Sequence, residues 1–218
     1  MEINMDNSRY KYPRTYHLLF SPGTTVDDKF VASHAHFEGK EVVVTEKLDG
    51  ENTTIYPDFF HARSTSSLMH PSRTYVGALH GQIGHNIPDG FRICGENVYA
   101  KHSIAYSQLE AFFIAFSIWK GDECLSWDDT LEWCKLLEVP TVPELYRGIW
   151  DEQKIKTIYD PHRKPDAMEG YVVRLASSFK YDDFATSVSK YVRKNHVQSS
   201  EHWMNEELTP NSLKEKQE

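Results

Sequence analysis

Features of disulfide-rich, zinc-binding and membrane-spanning proteins are absent from this sequence. Its three cysteines are an odd number without Cys-x-x-Cys spacing, so neither a disulfide framework nor a zinc site is expected. No apolar run approaches the roughly 18 residues that a membrane-spanning helix requires. The polar residues 1–12 lack the apolar core of a signal peptide. These absences favour a cytoplasmic protein, in a reducing compartment and with no membrane partner.

An excess of positive charge is missing as well. The formal net charge of −8 argues against a protein that coats nucleic acids indiscriminately. Basic side chains nevertheless concentrate late in the chain, at Lys180, Lys190, Arg193 and Lys194. This distribution favours an enzyme that engages phosphates in a local cleft.

A single large domain is the organisation that we expect. The 218 residues allow a sizeable core, and hydrophobic and charged contents of 39% and 26% are those of an ordinary globular protein. We expect one domain over residues 1–204 and a polar C-terminal tail over residues 205–218, either frayed or a solvated helix.

Strands outnumber helices in the sequence pattern. Runs rich in β-branched and aromatic residues predict strands at Lys40–Glu46, Thr53–Tyr56, Phe91–Glu96, Phe112–Trp119, Glu169–Leu175 and Ser189–Lys194. Helices are predicted at Ser126–Leu137, which begins with a capping-box pattern, and at Asp151–Tyr159, with a helical turn at Ser107–Glu110. The irregular spacing predicts an α+β fold with antiparallel sheets flanked by helices.

The most informative segment is Glu46-Lys47-Leu48-Asp49-Gly50, directly after the apolar run Val42–Val44. A lysine that ends a strand and precedes x-Asp-Gly is the arrangement of enzymes that capture a nucleotide on the lysine amine. Taken alone, the segment also fits a solvated lysine followed by an Asp-Gly turn. Further motifs along the chain favour the first interpretation.

These motifs resemble, in order, those of the covalent nucleotidyltransferase superfamily of ATP-dependent ligases and mRNA capping enzymes. Motif I resembles Lys47-Leu48-Asp49-Gly50. Motifs Ia to V resemble Ala62-Arg63-Ser64, Gly95-Glu96-Asn97, the strand that carries Phe116, Glu169-Gly170-Tyr171-Val172-Val173-Arg174 and Lys190-Tyr191-Val192-Arg193. Within the superfamily, the segments around Glu96 and Glu169 are most similar to RNA ligases.

The resemblance implies that Lys47 is the nucleophile. A lysine must be neutral to attack a phosphate, and with a reference pKa of about 10.4 this is a handicap of roughly 4.6 kcal/mol at pH 7. Burial and nearby cations such as Lys190, Arg193 and a bound metal are expected to lower that cost. Asp49 fits a contact to the ribose or to a hydrated metal, and equally a turn-forming role.

The other motifs imply the nucleotide and metal contacts. By resemblance, Glu96 contacts the ribose, and Glu169 supports metal binding or the step on the polynucleotide 5′ end. Both carboxylates are candidate ligands for Mg²⁺ or Mn²⁺. Phe116 would stack on adenine or belong to the core, and the Glu46 backbone is a candidate reader of the adenine edge. Arg63 is a nucleotide-binding residue through motif Ia.

The last strand departs from the family pattern. Many members have Lys-x-Lys, whereas this chain has Lys190-Tyr191-Val192-Arg193. In a regular strand, Lys190 and Arg193 point to opposite faces and cannot both enter one pocket unless a bulge intervenes. We expect Lys190 to contact the α-phosphate, with Arg193 as the second candidate.

The resemblance implies a nucleotidyltransferase domain, an ATP-grasp-like ligase fold. Few residues of this sequence follow motif V, so we do not expect the OB-fold that follows this domain in DNA ligases and capping enzymes. The resemblance also implies an ATP-dependent RNA ligase that forms lysyl-AMP on Lys47, transfers AMP to an RNA 5′-phosphate and joins it to a 3′-hydroxyl. A protein partner could supply substrate binding. The alternatives are a nick-sealing DNA ligase, a GTP-dependent capping enzyme and a non-catalytic nucleotide- or RNA-binding module.

Two further features leave their role open. Arg14, His17 and the turn Ser21-Pro22-Gly23 could close over a triphosphate or form an ordinary surface turn. The 11 histidines have no zinc-binding spacing, and none is assigned to a metal.

Overall fold

The computed structural model describes residues 9–23, 28–65, 70–160, 168–194, 196 and 208–215. The strands in these ranges are β1 (Tyr16–His17), β2 (Glu41–Lys47), β3 (Glu51–Ile55), β4 (Phe60–Ala62), β5 (Phe91–Asn97), β6 (Phe113–Lys120), β7 (Glu123–Cys124), β8 (Glu144–Ile149), β9 (Gly170–Leu175), β10 (Phe179–Lys180) and β11 (Val188–Val192). The helices are α1 (Thr74–Ile83), α2 (Trp127–Leu136), α3 (Glu152–Lys156) and α4 (Phe184–Ser187), with 3₁₀ turns at Pro71–Arg73, Gly84–Asn86 and Tyr181–Asp183.

These strands form two sheets. The first sheet has the order β1-β11-β9-β2-β8, and the second has the order β10-β7-β6-β5-β3-β4. Every pairing of these strands is antiparallel except that of β1 with β11, which is parallel. The α+β prediction with antiparallel sheets is therefore confirmed, apart from this parallel edge.

Strand β2 lies inside the first sheet because its valines are buried on both faces. Val42, Val43 and Val44 are all 0% exposed. Val42 and Val44 belong to a core that includes Trp119 of the second sheet, whereas Val43 belongs to a separate core. A run of buried β-branched residues, paired with strands on both sides, fixes the position of the residues that follow it.

The predicted helices correspond to α2 and α3. The hydroxyl of Ser126 accepts a hydrogen bond from the N–H of Asp129 at 3.1 Å, and Asp151 caps α3 in the same way through Lys154. Helix α1 is missed by the sequence analysis, since Gly77 and Gly81 weaken its helical signal. It packs its buried Val76 and Ile83 against the second sheet. None of the helices in the described ranges combines the length and apolar character that a bilayer crossing requires.

Three expectations are wrong. Ser107–Glu110 is not helical but part of an irregular loop between β5 and β6. The last strand ends at Val192, so Arg193 and Lys194 follow it. Residues 208–215 are neither frayed nor a solvated helix, because Asn211 is buried and its N–H donates to the Tyr99 carbonyl at 2.8 Å. The rest of the predicted tail, residues 205–207 and 216–218, lies outside the described residues.

Candidate active site

Lys47 is the last residue of β2 and points to the carboxylate at the start of the neighbouring strand. In the antiparallel register it faces Gly170, the first residue of β9, so that Glu169 lies beside it. The Nζ of Lys47 donates to Oε2 of Glu169 at 2.7 Å. The Glu169 side chain is only 6% exposed, and that of Lys47 is 25% exposed. The strand pairing thus forms a largely buried ion pair from two residues far apart in sequence.

The charge of this pair overturns one expectation from the sequence. Burial alone lowers the pKa of Lys47, but the negative charges of Glu169 and Glu96, the hydrogen bond to Glu169 and the charge of Asp49 outweigh it. The pKa of Lys47 is therefore raised, not lowered, and its amine is held as the ammonium. The expected neutralising effect of Lys190 and Arg193 does not dominate here, because carboxylates surround the amine.

Asp49 is held by the loop that joins β5 to β6. Its Oδ2 accepts hydrogen bonds from the N–H and hydroxyl of Ser103, at 2.8 and 2.6 Å, and from the N–H of Ile104 at 2.8 Å. Its own N–H donates to the Tyr106 hydroxyl at 2.9 Å. Burial opposes ionisation, but the contacts with His196, Ser103 and Ile104 outweigh it and hold the pKa of Asp49 far below its usual range. Asp49 is a fixed carboxylate rather than only a turn residue.

Glu96 lies on β5 behind the Asp49-Gly50 turn. Its Oε1 accepts a hydrogen bond from the Gly50 N–H at 3.2 Å, and a Cβ at Gly50 would lie 2.5 Å from the Asn97 carbonyl oxygen. Burial raises the pKa of Glu96 to about 8. The negative charges of Glu169 and Asp49 act in the same direction, and the positive charge of Lys47 opposes them. Only a glycine permits this close approach, and the approach places three carboxylates around Lys47.

A candidate cation site includes two of these carboxylates. Asp49, Glu169 and His196 each direct one ligand atom into a space where those atoms lie within 4.8 Å of one another. The Nε2 of His196 is 3.6 Å from Asp49 Oδ1 and 3.4 Å from Glu169 Oε1. Two carboxylates and an imidazole fit a divalent cation of the Mg²⁺ or Mn²⁺ type, with Mn²⁺ better suited to the nitrogen ligand. Glu169 was expected here, whereas Glu96 is not in the group and His196 is an addition.

Basic side chains lie near Lys47, across β9 from it. Lys190 is on β11, its Nζ 3.9 Å from Asp28 Oδ1. Burial, followed by the positive charge of Lys47, lowers the pKa of Lys190, and Arg63 contributes in the same direction. Partial burial and the charge of Arg14 lower the pKa of Arg63. Lys190, Arg63 and Arg14 thus form a region where anionic phosphates would relieve mutual repulsion.

Arg193 lies just beyond β11, where its N–H donates to the Glu169 carbonyl at 3.0 Å. The pairing of β11 with β9 runs without a register shift from Val188 to Val192. The bulge that would direct both basic side chains to one face is therefore absent from this strand. The geometry favours Lys190 over Arg193 as the residue beside Lys47, and the phosphate contact itself stays a prediction.

The N-terminal segment is built onto β11 and is not an ordinary surface turn. The Ser21 hydroxyl accepts from the Val192 N–H at 2.9 Å, and the Gly23 N–H donates to the Val192 carbonyl at 2.9 Å. His17 is 0% exposed, and burial with the charge of Lys190 lowers its pKa to about 4. His17 is therefore a neutral packing residue, and Arg14 is the member of this segment that remains a candidate for phosphate.

Phe116 owes its orientation to a β-bulge. Cys94 pairs with Ser117 and Gly95 pairs with Ala115, so that Phe116 is left without a partner across the two strands. It is half-buried, and its ring meets that of Tyr12 edge-on at 5.2 Å between centroids. An irregularity of this kind re-aims a side chain, which agrees with a base-stacking role as well as a packing role.

Glu46 has less freedom to read a base than the sequence suggests. Its N–H donates to the Pro143 carbonyl at 2.9 Å, so this donor is occupied. Burial raises the pKa of its side chain. An adenine contact through Glu46 would have to use another backbone atom.

Several residues of the site are not predicted from the sequence. Ser103 and Tyr106 follow the Gly-Glu-Asn segment in an irregular loop, and nothing in their spacing marks the Asp49 contact. His196 comes after the basic run of the last strand, without a metal-binding pattern. Conversely, the buried Arg174 of the Glu169–Arg174 motif donates to the Leu125 carbonyl at 2.7 Å, so its role is structural.

Comparisons with known proteins identify a family and a fold. The model of the family described as RNA ligase matches residues 40–192. A candidate ATP-dependent DNA ligase from Aquifex aeolicus has a similar fold (TM-score 0.58, 23% identity), covering 85% of this chain and 50% of that one. So does an archaeal ATP-dependent RNA ligase, with a TM-score of 0.56, 16% identity and coverage of 84% and 48%.

A third similar structure is a mutant of Naegleria gruberi RNA ligase with ATP and Mn (TM-score 0.51, 17% identity, coverage of 73% and 52%). This chain spans about half the length of these three solved chains. No curated protein sequence matches it. The identities are low, so the structures establish a shared ligase nucleotidyltransferase fold.

Proposed function

The chain belongs to the RNA ligase family, and from this premise we propose that it is an ATP-dependent RNA ligase with Lys47 as its nucleophile. The observation that carries the proposal is that Lys47 is ion-paired with the buried Glu169 and lies close enough to Lys190 for the two positive charges to interact. Glu169 and Asp49 act on Lys47 as negative charges, and Lys190 lies across β9 from it. A nucleotide bound here would present its phosphates to the cations and its α-phosphorus to the amine.

In the first step, Nζ of Lys47 attacks the α-phosphorus of ATP. A phosphorus–nitrogen bond forms, the bond to the leaving pyrophosphate breaks, and the nitrogen loses a proton. Glu169 Oε2 is at 2.7 Å from Nζ and is the nearest carboxylate to receive that proton. Lys190 would stabilise the charge that develops on the phosphate oxygens.

In the second step, an oxygen of the RNA 5′-phosphate attacks the α-phosphorus, the phosphorus–nitrogen bond breaks and Lys47 regains its proton. In the third step, a 3′-hydroxyl attacks the RNA 5′-phosphorus and loses its proton, and AMP leaves. Lys190 would act in both transfers of AMP, first onto and then away from Lys47. Phe116 would stack on the adenine, Glu96 would contact the ribose, and Arg63 with Arg193 would contact phosphates. Glu46 would contribute through its backbone.

Asp49, Glu169 and His196 would hold the divalent cation, Mg²⁺ or Mn²⁺. When bound, this cation supplies positive charge that offsets the carboxylates and the phosphate oxygens. Asp49 is suited to such a role because it stays ionised, fixed by three hydrogen bonds to one oxygen. The described residues would thus supply nucleophile, phosphate contact and cation ligands from one nucleotidyltransferase domain, which we assign to residues 1–204.

A nick-sealing DNA ligase is the second candidate, because the Aquifex aeolicus neighbour is described as a DNA ligase. The two candidates share the lysyl-AMP step and differ in the strand that they join. The family match favours RNA as the substrate, and we propose that the ends it joins are a 5′-phosphate and a 3′-hydroxyl. A protein partner that delivers the substrate and a cytoplasmic location are compatible with this proposal.

The test is incubation with radiolabelled ATP or GTP and a divalent cation, followed by a denaturing gel. We expect one AMP per chain from ATP, at least about tenfold less label from GTP, and none in Lys47→Ala. Label at full level in Lys47→Ala would refute the nucleophile, and equal labelling by GTP would favour a capping enzyme. Nicked duplexes with all-RNA or all-DNA strands then distinguish the ligases, with RNA expected to be joined faster.

A further inference from the structure

The loop that holds Asp49 has no regular structure of its own. Residues 98–112 join β5 to β6 without a helix or strand among them. Its closure is secured at the base by the Val98 N–H, which donates to the Phe112 carbonyl at 2.8 Å. A connection this long ordinarily needs support from elsewhere if it is to hold a side chain in one geometry. We call it the Asp49 loop.

The support comes from the C-terminal strap, residues 208–215. The Lys101 N–H donates to the Thr209 carbonyl at 2.8 Å, and the Ser212 N–H donates to the Tyr106 carbonyl at 3.0 Å. Further along, the Lys214 N–H donates to the Leu109 carbonyl at 2.9 Å. The strap is thus hydrogen-bonded to the Asp49 loop on both sides of Ser103 and Ile104.

Asn211 is the centre of this attachment. Its side chain is buried, with the amide Nδ2 donating to the carbonyls of Val98 and Ala100 at 2.8 and 3.3 Å. Its Oδ1 accepts from the Tyr106 N–H at 2.8 Å. One side chain therefore ties together the two arms of the loop, and the segment between them carries Ser103 and Ile104.

We infer that Asn211 is a positioning residue that fixes the Asp49 carboxylate through the Asp49 loop. Asn211 is hydrogen-bonded to the backbone of Tyr106 and Ala100. Between these two residues, Ser103 and Ile104 donate hydrogen bonds to Asp49 Oδ2. The Tyr106 hydroxyl accepts a hydrogen bond from the Asp49 N–H. This inference rests on the proposed function, in which Asp49 serves the transfer of AMP. It makes Asn211 part of the support of the active site.

Loss of Asn211 would leave two buried carbonyls and one N–H without their partner, and the loop would relax. Displacements of about 1 Å at a catalytic group can lower rates by up to about 100-fold. Since the backbone contacts of the strap would persist, we expect about a tenfold decrease in the rate of self-adenylylation.

The test compares Asn211→Ala and Asn211→Asp with Lys214→Ala in the full chain. Asn211→Asp retains the acceptor for Tyr106 but opposes an oxygen to two carbonyls. If these variants do not fold, the neutral Asn211→Ser, whose hydroxyl can donate to one carbonyl, takes their place. Lys214→Ala removes only the exposed ion pair with Glu110, at 2.8 Å, from the same strap. A single-turnover reaction with ATP gives two quantities. The amplitude reports the fraction of protein that is competent to react, and the rate constant reports how fast that fraction reacts.

A positioning role predicts a rate about tenfold lower at an unchanged amplitude in the Asn211 variants, and a wild-type rate in Lys214→Ala. A lower amplitude with a wild-type rate would mean a merely structural role and would overturn the inference. Hydrogen exchange gives a second readout, independent of activity. The amides of Ser103 and Ile104 should exchange faster in the Asn211 variants, while those of β2 and β9 remain protected.

The two hypotheses can fail separately. If the wild-type protein takes no label from any nucleotide, the proposed function fails, and hydrogen exchange alone decides whether Asn211 controls the Asp49 loop. If the wild-type protein is labelled and the Asn211 variants match it in rate, the inference fails and the proposed function stands. Unchanged exchange at Ser103 and Ile104 would overturn the inference in either case.

Discussion

Lys47 and Lys190 belong to the same sheet, one on each side of β9, yet their surroundings differ in sign. Both side chains are largely buried, which by itself lowers the pKa of each. Around Lys47 the charges of Glu169, Glu96 and Asp49 reverse this effect. Around Lys190 the charge of Lys47 adds to it, and Asp28 compensates only in part.

The difference separates two tasks that a nucleotidyl-transferring site must perform. Carboxylates favour the ammonium form of Lys47, so in the proposed mechanism the free protein would hold its nucleophile in an unreactive form until that proton leaves. Lys190 is a cation under repulsion, for which an anionic phosphate would be a favourable neighbour. Two residues of one type thus acquire different chemistry from the strands beside them.

Of the substitutions that test the difference between the two lysines, Lys190→Ala is expected to have the largest effect on the reaction rate. Loss of a charge-assisted phosphate contact costs about 2–4 kcal/mol of transition-state stabilisation, or roughly 30- to 1000-fold in rate. Self-adenylylation and the sealing of a pre-adenylylated RNA should both be slowed, whereas Lys47→Ala should fail only in self-adenylylation.

Lys180→Ala is the matched control, because Lys180 is exposed and paired with Asp122 and Glu123. It should remain within about twofold of the wild-type rate, as expected for an exposed ion pair. Self-adenylylation of Lys190→Ala at the wild-type rate would refute the phosphate role and direct attention to Arg193.

A smaller effect is expected on stability, through the carboxyl group of Glu96. The pKa of Glu96 is raised to about 8, so the folded protein retains a proton that the unfolded chain releases near pH 4.5. Below that pH both states are protonated, and between the two values the free energy of unfolding should fall as pH rises. Glu96→Gln removes this titration and should therefore stabilise the protein at alkaline pH.

Urea unfolding at pH 5, 7 and 9 measures this effect. We expect Glu96→Gln to gain at least about 1 kcal/mol over the wild type at pH 9 and much less at pH 5. A difference that stays constant across this range would mean that Glu96 is not buried beside other carboxylates.

The sequence predicts the strands of the site well because their signal is local. The run Val42–Val44 and the residues Glu169–Leu175 are apolar enough to mark β2 and β9, and the motifs on them follow. Helix α1, with its two glycines, and the exposed strand β8 carry no such signal.

The raised pKa of Lys47 is not predictable from the sequence, because it depends on the pairing of β2 with β9 and on the close approach of Glu96. The same holds for Ser103, His196 and Asn211, whose partners are set by tertiary contacts. Asn211 in particular lies in a polar segment that reads as solvated, although its side chain satisfies three backbone groups.

The most direct test of the different roles proposed for Lys47 and Lys190 is to identify the lysine that carries AMP. The protein is incubated with ATP and a divalent cation, digested at a pH that preserves the phosphoramidate, and its peptides are sequenced by mass spectrometry. The account predicts one AMP per chain, on Lys47, and an unmodified Lys190. AMP on Lys190 or on any residue other than Lys47 would contradict it.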